Sequence, residues 1–318
     1  MRWNLAAASV VSLGVLSACS GSSTSSTSSS ASADGGQTTG SNEQTVAIGP
    51  IPVAAGQEKT VCIVIPFGAT EDVVVNSIDV NLAPGSHHLI VYQSTVAPTS
   101  TPYACSPFTG IAFGTDVPFV FSGREQLTWT FPQGVGLDVA ANTFVKIEAH
   151  YINTTSAELQ GHGQVTFHTT PKATMGPYKP AGFSFWGTMN IDIPPNASAS
   201  TGVQFQAGVA NTHLISISTH QHRLGTGVMA WESEAPGQMG AQIAKDLDWA
   251  NPSWSLLTPQ YDFNGTNGLS YECNWTNTTS QTITFGESAL DEMCFVGGYF
   301  YPGSGLDFCI NGHCKNRP

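Results

Sequence analysis

Short runs of β-branched and aromatic residues, separated by glycine, proline and asparagine, fill the chain from residue 46 onward. Residues 61–65, 73–82 and 144–152 are examples, and each is followed within two residues by a turn-forming residue. Runs of this length with turn residues between them predict many short strands packed into sandwiches or barrels. We therefore expect an all-β fold of two antiparallel, jelly-roll-like β-sandwich domains. Helix is expected to be limited to a turn or two around residues 241–249.

Length and charge narrow the classes of protein further. The chain has 318 residues and a net charge of −12, and only 10% of its residues are charged, against roughly 25% in an average protein. Nucleic acid is excluded as a partner, because phosphate binding needs clustered lysine and arginine. The length predicts two domains, with a proline-rich junction over residues 171–182. We place an N-terminal sandwich at 46–175, a C-terminal sandwich at 176–303 and a cysteine-containing tail at 304–318.

The N-terminus has the pattern of a targeting segment. Residues 1–18 combine one arginine, an apolar stretch and small residues, which is typical of a signal peptide. Leu16-Ser17-Ala18-Cys19 is similar to the lipobox of bacterial lipoproteins, in which the cysteine is lipidated; an ordinary cleaved signal with a chance cysteine is the alternative. Residues 19–45 are rich in serine, threonine and glycine and predict a flexible tether. We expect an exported protein, held at the outer membrane or cell surface by the lipid alone.

Six cysteines remain after Cys19, an even number that suggests three disulfides in an oxidising compartment. The sequence alone allows about 15 pairings. Proximity favours the pairs Cys62–Cys105, Cys273–Cys294 and Cys309–Cys314. A zinc site is the rival interpretation, but the chain has no C-x-x-C pair to support it.

Five histidines form three groups that suggest a metal site. His220 and His222 are two residues apart, so in a strand their imidazoles would point to the same face. His87 and His88 are adjacent and can meet one ion only if the backbone is irregular there. His150 lies in a predicted strand on the face opposite its apolar neighbours, where a ligand and a surface histidine are equally plausible.

The histidine groups and Asp291-Glu292-Met293-Cys294 together resemble the copper type II, ascorbate-dependent monooxygenases. That family, which includes peptidylglycine α-hydroxylating and dopamine β-monooxygenases, carries a His-His pair before an apolar strand, a His-Tyr in a later strand, H-x-H with a glycine soon after, and Asp-Glu-Met-Cys. All four motifs occur here in the family's order, over roughly residues 58–302. The resemblance also pairs Cys273 with Cys294.

The resemblance implies two copper ions, one in each sandwich. His87, His88 and His150 would bind the first ion, which stores and transfers electrons. His220, His222 and Met293 would bind the second, where dioxygen is activated, and these three are the expected catalytic residues. The donor types agree with this assignment, since imidazole suits copper and a thioether favours Cu(I).

The implied activity is hydroxylation of a C–H bond in a small-molecule or peptide-like substrate, with O2 and a reductant such as ascorbate. Ser218 stands where the peptide-amidating branch has an arginine that holds a carboxylate, which argues against a carboxylate-terminated peptide. Phe295, Gly297 and Trp231 suggest a roomier and less polar pocket. A tethered copper-buffering lipoprotein without catalysis is the alternative function, and an all-β surface-binding module with relict motifs is a third.

Overall fold

The computed structural model describes residues 43–108 and 116–315. The predicted signal peptide, Cys19 and nearly all of the tether lie outside these ranges. The described residues belong to one compact unit. Within the described ranges the helical content is a single 3-10 turn at Lys172–Thr174, and no helix there has the length and apolarity to cross a membrane. The prediction of an all-β protein is confirmed.

The strands divide into two groups along the chain, before and after residue 181. The first group is β1 (Glu43–Val53), β2 (Glu58–Pro66), β3 (Val73–Leu82), β4 (Ser86–Ser94), β5 (Tyr103–Ala104), β6 (Asp116–Ser122), β7 (Gln126–Thr130), β8 (Val135–Val139), β9 (Phe144–Ile152), β10 (Leu159–Pro171) and β11 (Lys179–Pro180). The second group is β12 (Gly182–Gly187), β13 (Asp192–Ile193), β14 (Ala197–Ser200), β15 (Gln204–Ala207), β16 (Thr212–His220), β17 (Gly225–Ala235), β18 (Gln238–Asp246), β19 (Trp254–Phe263), β20 (Gly268–Asn277), β21 (Ile283–Thr284), β22 (Phe295–Tyr301), β23 (Leu306–Ile310) and β24 (His313–Lys315).

Each group builds its own sheets. In the first half, residues 43–180, one sheet has the order β1-β10-β3-β8-β11 with β7 beside β3, and the other has the order β5-β2-β9-β4-β6. In the second half, residues 182–315, the order is β19-β16-β22-β12-β23-β24 in one sheet and β14-β20-β17-β18 in another, with β15 beside β20 and a small β13-β21 pair. Among the described strands, every pairing joins members of the same half. The exact domain bounds stay a prediction.

Two segments differ from the sequence-based expectation. The helical turn expected around residues 241–249 is wrong, because Gln238–Asp246 forms strand β18. It pairs antiparallel with β17, so ladder hydrogen bonds override a weak local preference. The C-terminal stretch expected as a tail supplies β23, which lies parallel to β12, and β24, which pairs with β23.

The three favoured disulfides are confirmed: Cys62–Cys105, Cys273–Cys294 and Cys309–Cys314. The first ties the segment after β5 to β2, next to the β9 strand that carries His150. The second joins β20 to the residue that follows Met293. Both bridges therefore fasten segments close to the candidate ligands.

The two halves share an apolar core. One cluster of buried side chains contains Trp129 and Phe131 from the first half together with Phe183 and Tyr299 from the second. The ring of Tyr299 lies 4.7 Å from that of Phe131 and 5.4 Å from those of Trp129 and Phe183. Its hydroxyl donates a hydrogen bond of 2.5 Å to the carbonyl of Phe119 in the first half. This buried contact is one of those that join the two halves.

Replacing Tyr299 with phenylalanine is expected to lower the free energy of unfolding by about 1–2 kcal/mol, because the substitution leaves the buried Phe119 carbonyl without its donor. The measurement is urea denaturation of the metal-free protein. Tyr301→Phe is the matched control, since the Tyr301 hydroxyl bonds to the side chain of Gln260 at a partly buried position within the second half. An equal or larger loss in the control would contradict the importance of the contact between the halves.

Candidate metal centre

An irregularity in β4 brings His87 and His88 to the same place. The pairing of β4 with β9 shifts register between Ser86 and His88, and His88 then lies opposite His150. The rings of His87 and His88 are 5.2 Å apart instead of on opposite faces of the sheet. The irregular backbone that the adjacent pair requires is therefore present.

His150 is fully buried in β9. Glu148 and Lys146 alternate with it along the strand and are buried as well, so this face of β9 is a polar row inside the protein. The possibility of a simple surface histidine is excluded.

The turn after β16 positions the second pair. β16 ends at His220, so His222 lies beyond the strand and the argument from strand alternation was only partly right. The two rings are nevertheless 5.2 Å apart. A glycine is needed at position 225, soon after H-x-H, because a Cβ there would lie 2.6 Å from the Gln221 side chain.

The five histidines meet in one group, which we call the histidine cluster: His87, His88, His150, His220 and His222. The ring of His87 lies 5.1–5.4 Å from those of the other four. Ring nitrogens of His87, His88 and His220 all lie within 4.8 Å of one another. The expectation of one site in each sandwich is not confirmed, since the two ligand sets lie together across the contact between the halves.

The cluster contains buried nitrogens that lack hydrogen-bond partners. Among the described residues these are His87 Nε2, both ring nitrogens of His88, His150 Nδ1, His220 Nε2 and His222 Nε2. A buried polar atom without a partner costs about 1–3 kcal/mol, so this many in one place is unfavourable for a purely structural core. Imidazole nitrogens that converge without other partners fit a metal ion, and copper is among the metals that prefer them.

In His150 and His222, a hydrogen bond from one ring nitrogen leaves the other ring nitrogen for a metal. His150 Nε2–H donates to Glu58 Oε1 over 2.7 Å, which leaves Nδ1. His222 Nδ1–H donates to the carbonyl of Asp291 over 3.1 Å, which leaves Nε2. Such partners fix the tautomer and orientation of metal-binding histidines.

Burial holds four imidazoles of the cluster in the neutral form that binds metal. Burial, and secondarily the neighbouring imidazoles, lower the pKa values of His87, His88 and His220 well below the ordinary value. Burial also lowers the pKa of His222, to about 4, although hydrogen bonds oppose it. Protons therefore do not compete with a metal for these nitrogens near pH 7.

Each residue of the Asp291–Cys294 motif has a structural task. The Asp291 carbonyl orients His222, and Cys294 is bonded to Cys273. The Glu292 carboxylate accepts hydrogen bonds from the backbone N–H groups of His222 and Leu224 and from the indole of Trp275. Met293 is 1% exposed, in the core shared by the halves. The motif thus ties the chain around Met293 to the turn that carries His222.

Two buried carboxylates at the cluster were not identified from the sequence. Burial raises the pKa of Glu148 to about 7, although Lys146 and a hydrogen bond from Tyr92 oppose it. Its carboxylate lies 3.7 Å from His88 Nε2. Burial likewise raises the pKa of Glu292 to about 7 against its three donors. No spacing rule points to them, although Glu148 and Glu292 each stand within two residues of a predicted ligand.

An aromatic wall covers one side of His220. Phe121 lies 5.4 Å and Phe108 6.4 Å from its ring, and Phe185 stacks 4.6 Å from Phe295. The cavity between them is only about 10 Å³, so the expected roomier pocket is not open in this structure. Ser218 and Gly297 line it. Trp231 instead lies in the β17 ladder, where it pairs with β18 and β20.

Comparison with known proteins supports the second half of the site. Residues 191–316 match the family model described as copper type II ascorbate-dependent monooxygenase, C-terminal domain, a stretch that contains His220, His222 and Met293. No curated protein matches the chain.

Among solved structures, the major capsid protein P2 of bacteriophage PM2 is 9% identical, over 81% of this chain and 97% of that one, with a TM-score of 0.33. A structure of the Sputnik virophage is 10% identical, over 83% and 84%, with a TM-score of 0.23. Likenesses this distant carry no functional argument.

Replacing Glu292 with glutamine is expected to lower the free energy of unfolding by about 2–3 kcal/mol, because an amide NH2 would then face an N–H donor in a buried site. Urea denaturation of the metal-free protein measures the loss. Glu272→Gln is the matched control, since that carboxylate on β20 bonds only to the exposed Ser200 hydroxyl and should change stability by less than about 0.5 kcal/mol. Equal effects would contradict the assigned role of Glu292.

Proposed function

We propose that this chain, whose residues 191–316 match the model of the copper type II ascorbate-dependent monooxygenase C-terminal domain, is a copper-dependent monooxygenase. The reaction takes O2 and two electrons from an ascorbate-type reductant. One oxygen atom enters a C–H bond of the substrate as a hydroxyl, and the other leaves as water with two protons. The observation that carries the proposal is the convergence of unpartnered imidazole nitrogens, of which those of His220 and His222 lie in the stretch that matches the family.

The proposed ligands account for two copper ions. His87, His88 and His150 would hold one, and His220, His222 and Met293 the other. Copper, when bound, supplies one-electron redox chemistry and a place for dioxygen. Three features of the chain support copper binding: the neutral imidazoles of His87, His88, His220 and His222, ring nitrogens fixed by Glu58 and Asp291, and the buried thioether of Met293.

The surroundings of His220 support an apolar substrate group. Phe121, Phe185 and Phe295 flank it, and Ser218 offers no charge at this position. A carboxylate brought against this wall would lose its hydration without a cationic partner, which is strongly unfavourable. A C–H bond on an uncharged group suits the aromatic wall better than a carboxylate does. The small cavity must widen to admit such a group.

The proposed place of action is outside the cytoplasm, with Cys19 lipidated and a tether that ends before Glu43, where strand β1 begins. Support comes from the three disulfides of the described residues, since such bonds persist in oxidising compartments.

The test is the reaction of O2 with copper-loaded protein that has been reduced by ascorbate, which needs no knowledge of the substrate. The wild-type protein should bind two ions and return to Cu(II), seen by electron paramagnetic resonance, on exposure to O2. Met293→Ile removes a proposed ligand and should slow this reoxidation by at least about 10- to 100-fold. Substitution of residues that only orient the ligands already lowers metal affinity or activity by that factor.

Met239→Ile, at a side chain that is 49% exposed on β18, is the matched control and should behave as wild type. Copper binding without reoxidation by O2 in the wild type would favour a storage role. A protein that binds no copper after dialysis would overturn the proposal.

A further inference from the structure

Glu58, the first residue of β2, joins the two halves at the histidine cluster. Its Oε1 accepts hydrogen bonds from His150 Nε2 over 2.7 Å and from the backbone N–H of Ala289 over 2.9 Å. Its Oε2 accepts one of 3.1 Å from the hydroxyl of Ser288. One carboxylate therefore contacts a predicted ligand of the first ion and the turn that precedes the predicted thioether ligand of the second.

The turn that Glu58 holds is hydrogen-bonded as far as Glu292. Asp291 N–H donates to the Ser288 carbonyl over 2.9 Å, and Leu290 N–H donates to the Ser288 hydroxyl over 3.1 Å. Glu292 N–H then donates to the Thr284 carbonyl over 3.1 Å, at the end of β21. A displacement of Ser288 would therefore be transmitted to the backbone of Asp291 and Glu292, both of which bond to His222.

The Glu58 carboxylate is charged at neutral pH. Partial burial would raise its pKa, but the hydrogen bonds from His150 and Ala289 outweigh this and lower it to about 2. Hydrogen bonds to an ionised acceptor are roughly twice as strong as those between neutral groups. The Glu58 side chain is 28% exposed while that of His150 is fully buried, so the charge lies at the margin of the site and its bonds point inward.

We propose that Glu58 is a positioning residue that couples the two ligand sets, orienting His150 in the first half and fixing the turn before Met293 in the second. The inference rests on the proposed copper-binding function. Loss of the carboxylate should disturb both ions at once, although Glu58 itself contacts only one of the ligands.

Two other contacts supply controls. His168 and Asp79 form the same kind of pair, also at 2.7 Å, but they are 36% and 45% exposed and lie on β10 and β3. Asp79→Asn removes a carboxylate from a histidine without touching the cluster. Tyr299→Phe removes a hydrogen bond between the halves at a position whose ring contacts are with Trp129, Phe131, Phe183 and Trp254.

The experiment uses the full chain loaded with copper and compares Glu58→Ala, Glu58→Gln and the two controls with wild type. Stepwise competition against a Cu(I) chelator measures the affinity for each ion. X-ray absorption of the Cu(I) form measures the Cu–S contribution from the thioether, a signature that general loss of stability does not remove. Thermal unfolding is followed in parallel.

Glu58→Ala is expected to weaken binding of both ions by about 10- to 100-fold, as loss of partners outside the ligand set does elsewhere, and to reduce the Cu–S contribution. Glu58→Gln keeps the side-chain length and one acceptor oxygen, so its Cu–S contribution should be close to that of the wild type. It is also the variant to compare if Glu58→Ala does not fold. The controls should leave affinity and Cu–S contribution unchanged.

The inference is overturned if Glu58→Ala changes only one ion, if its Cu–S contribution equals that of wild type, or if either control produces the same changes. These results would leave the proposed function standing, because the wild type would still bind copper through a thioether. A wild-type protein without bound copper overturns both.

Discussion

Five imidazoles are buried where the two halves of the chain meet, and the rest of the site depends on this arrangement. Their unpartnered nitrogens are unfavourable in a purely structural core, and the sheet that carries His87, His88 and His150 shares no backbone ladder with the sheet that ends at His220. The cluster therefore exists only while the halves stay in contact. The aromatic side chains around Tyr299 contribute to that contact, and Glu58 adds hydrogen bonds at the cluster itself.

The two halves hold their candidate ligands in different ways, because the ligands lie on strands in the first half and mainly on turns in the second. The first half presents histidines from two neighbouring strands of one sheet, β4 and β9, so their positions are set by the ladder between these strands and its register shift at His88. The second half presents His220 at the end of β16 and His222 and Met293 from turns. These turns need additional fastening, which Glu292, the Asp291 carbonyl and the Cys273–Cys294 disulfide provide.

Features with short spacing were predictable from the sequence. The strand runs, the three disulfides and the irregular backbone at His87 and His88 all follow from rules that act over a few residues or pair near neighbours. The helical turn near residue 241 failed because pairing with β17 decided that segment. Glu58 was not identified because it stands 92 residues from His150 and 230 from Ser288, and only the folded sheets bring them together.

The bridge between Cys273 and Cys294 has a consequence for how the protein matures. Cys294 directly follows Met293, and as free thiols these two buried cysteines would offer soft ligands that compete with the thioether for Cu(I). Oxidation removes both competitors and leaves sulfur from Met293 as the soft donor on that segment. Disulfide formation before metal loading would therefore keep the proposed Cu(I) site free of competition from these two thiols.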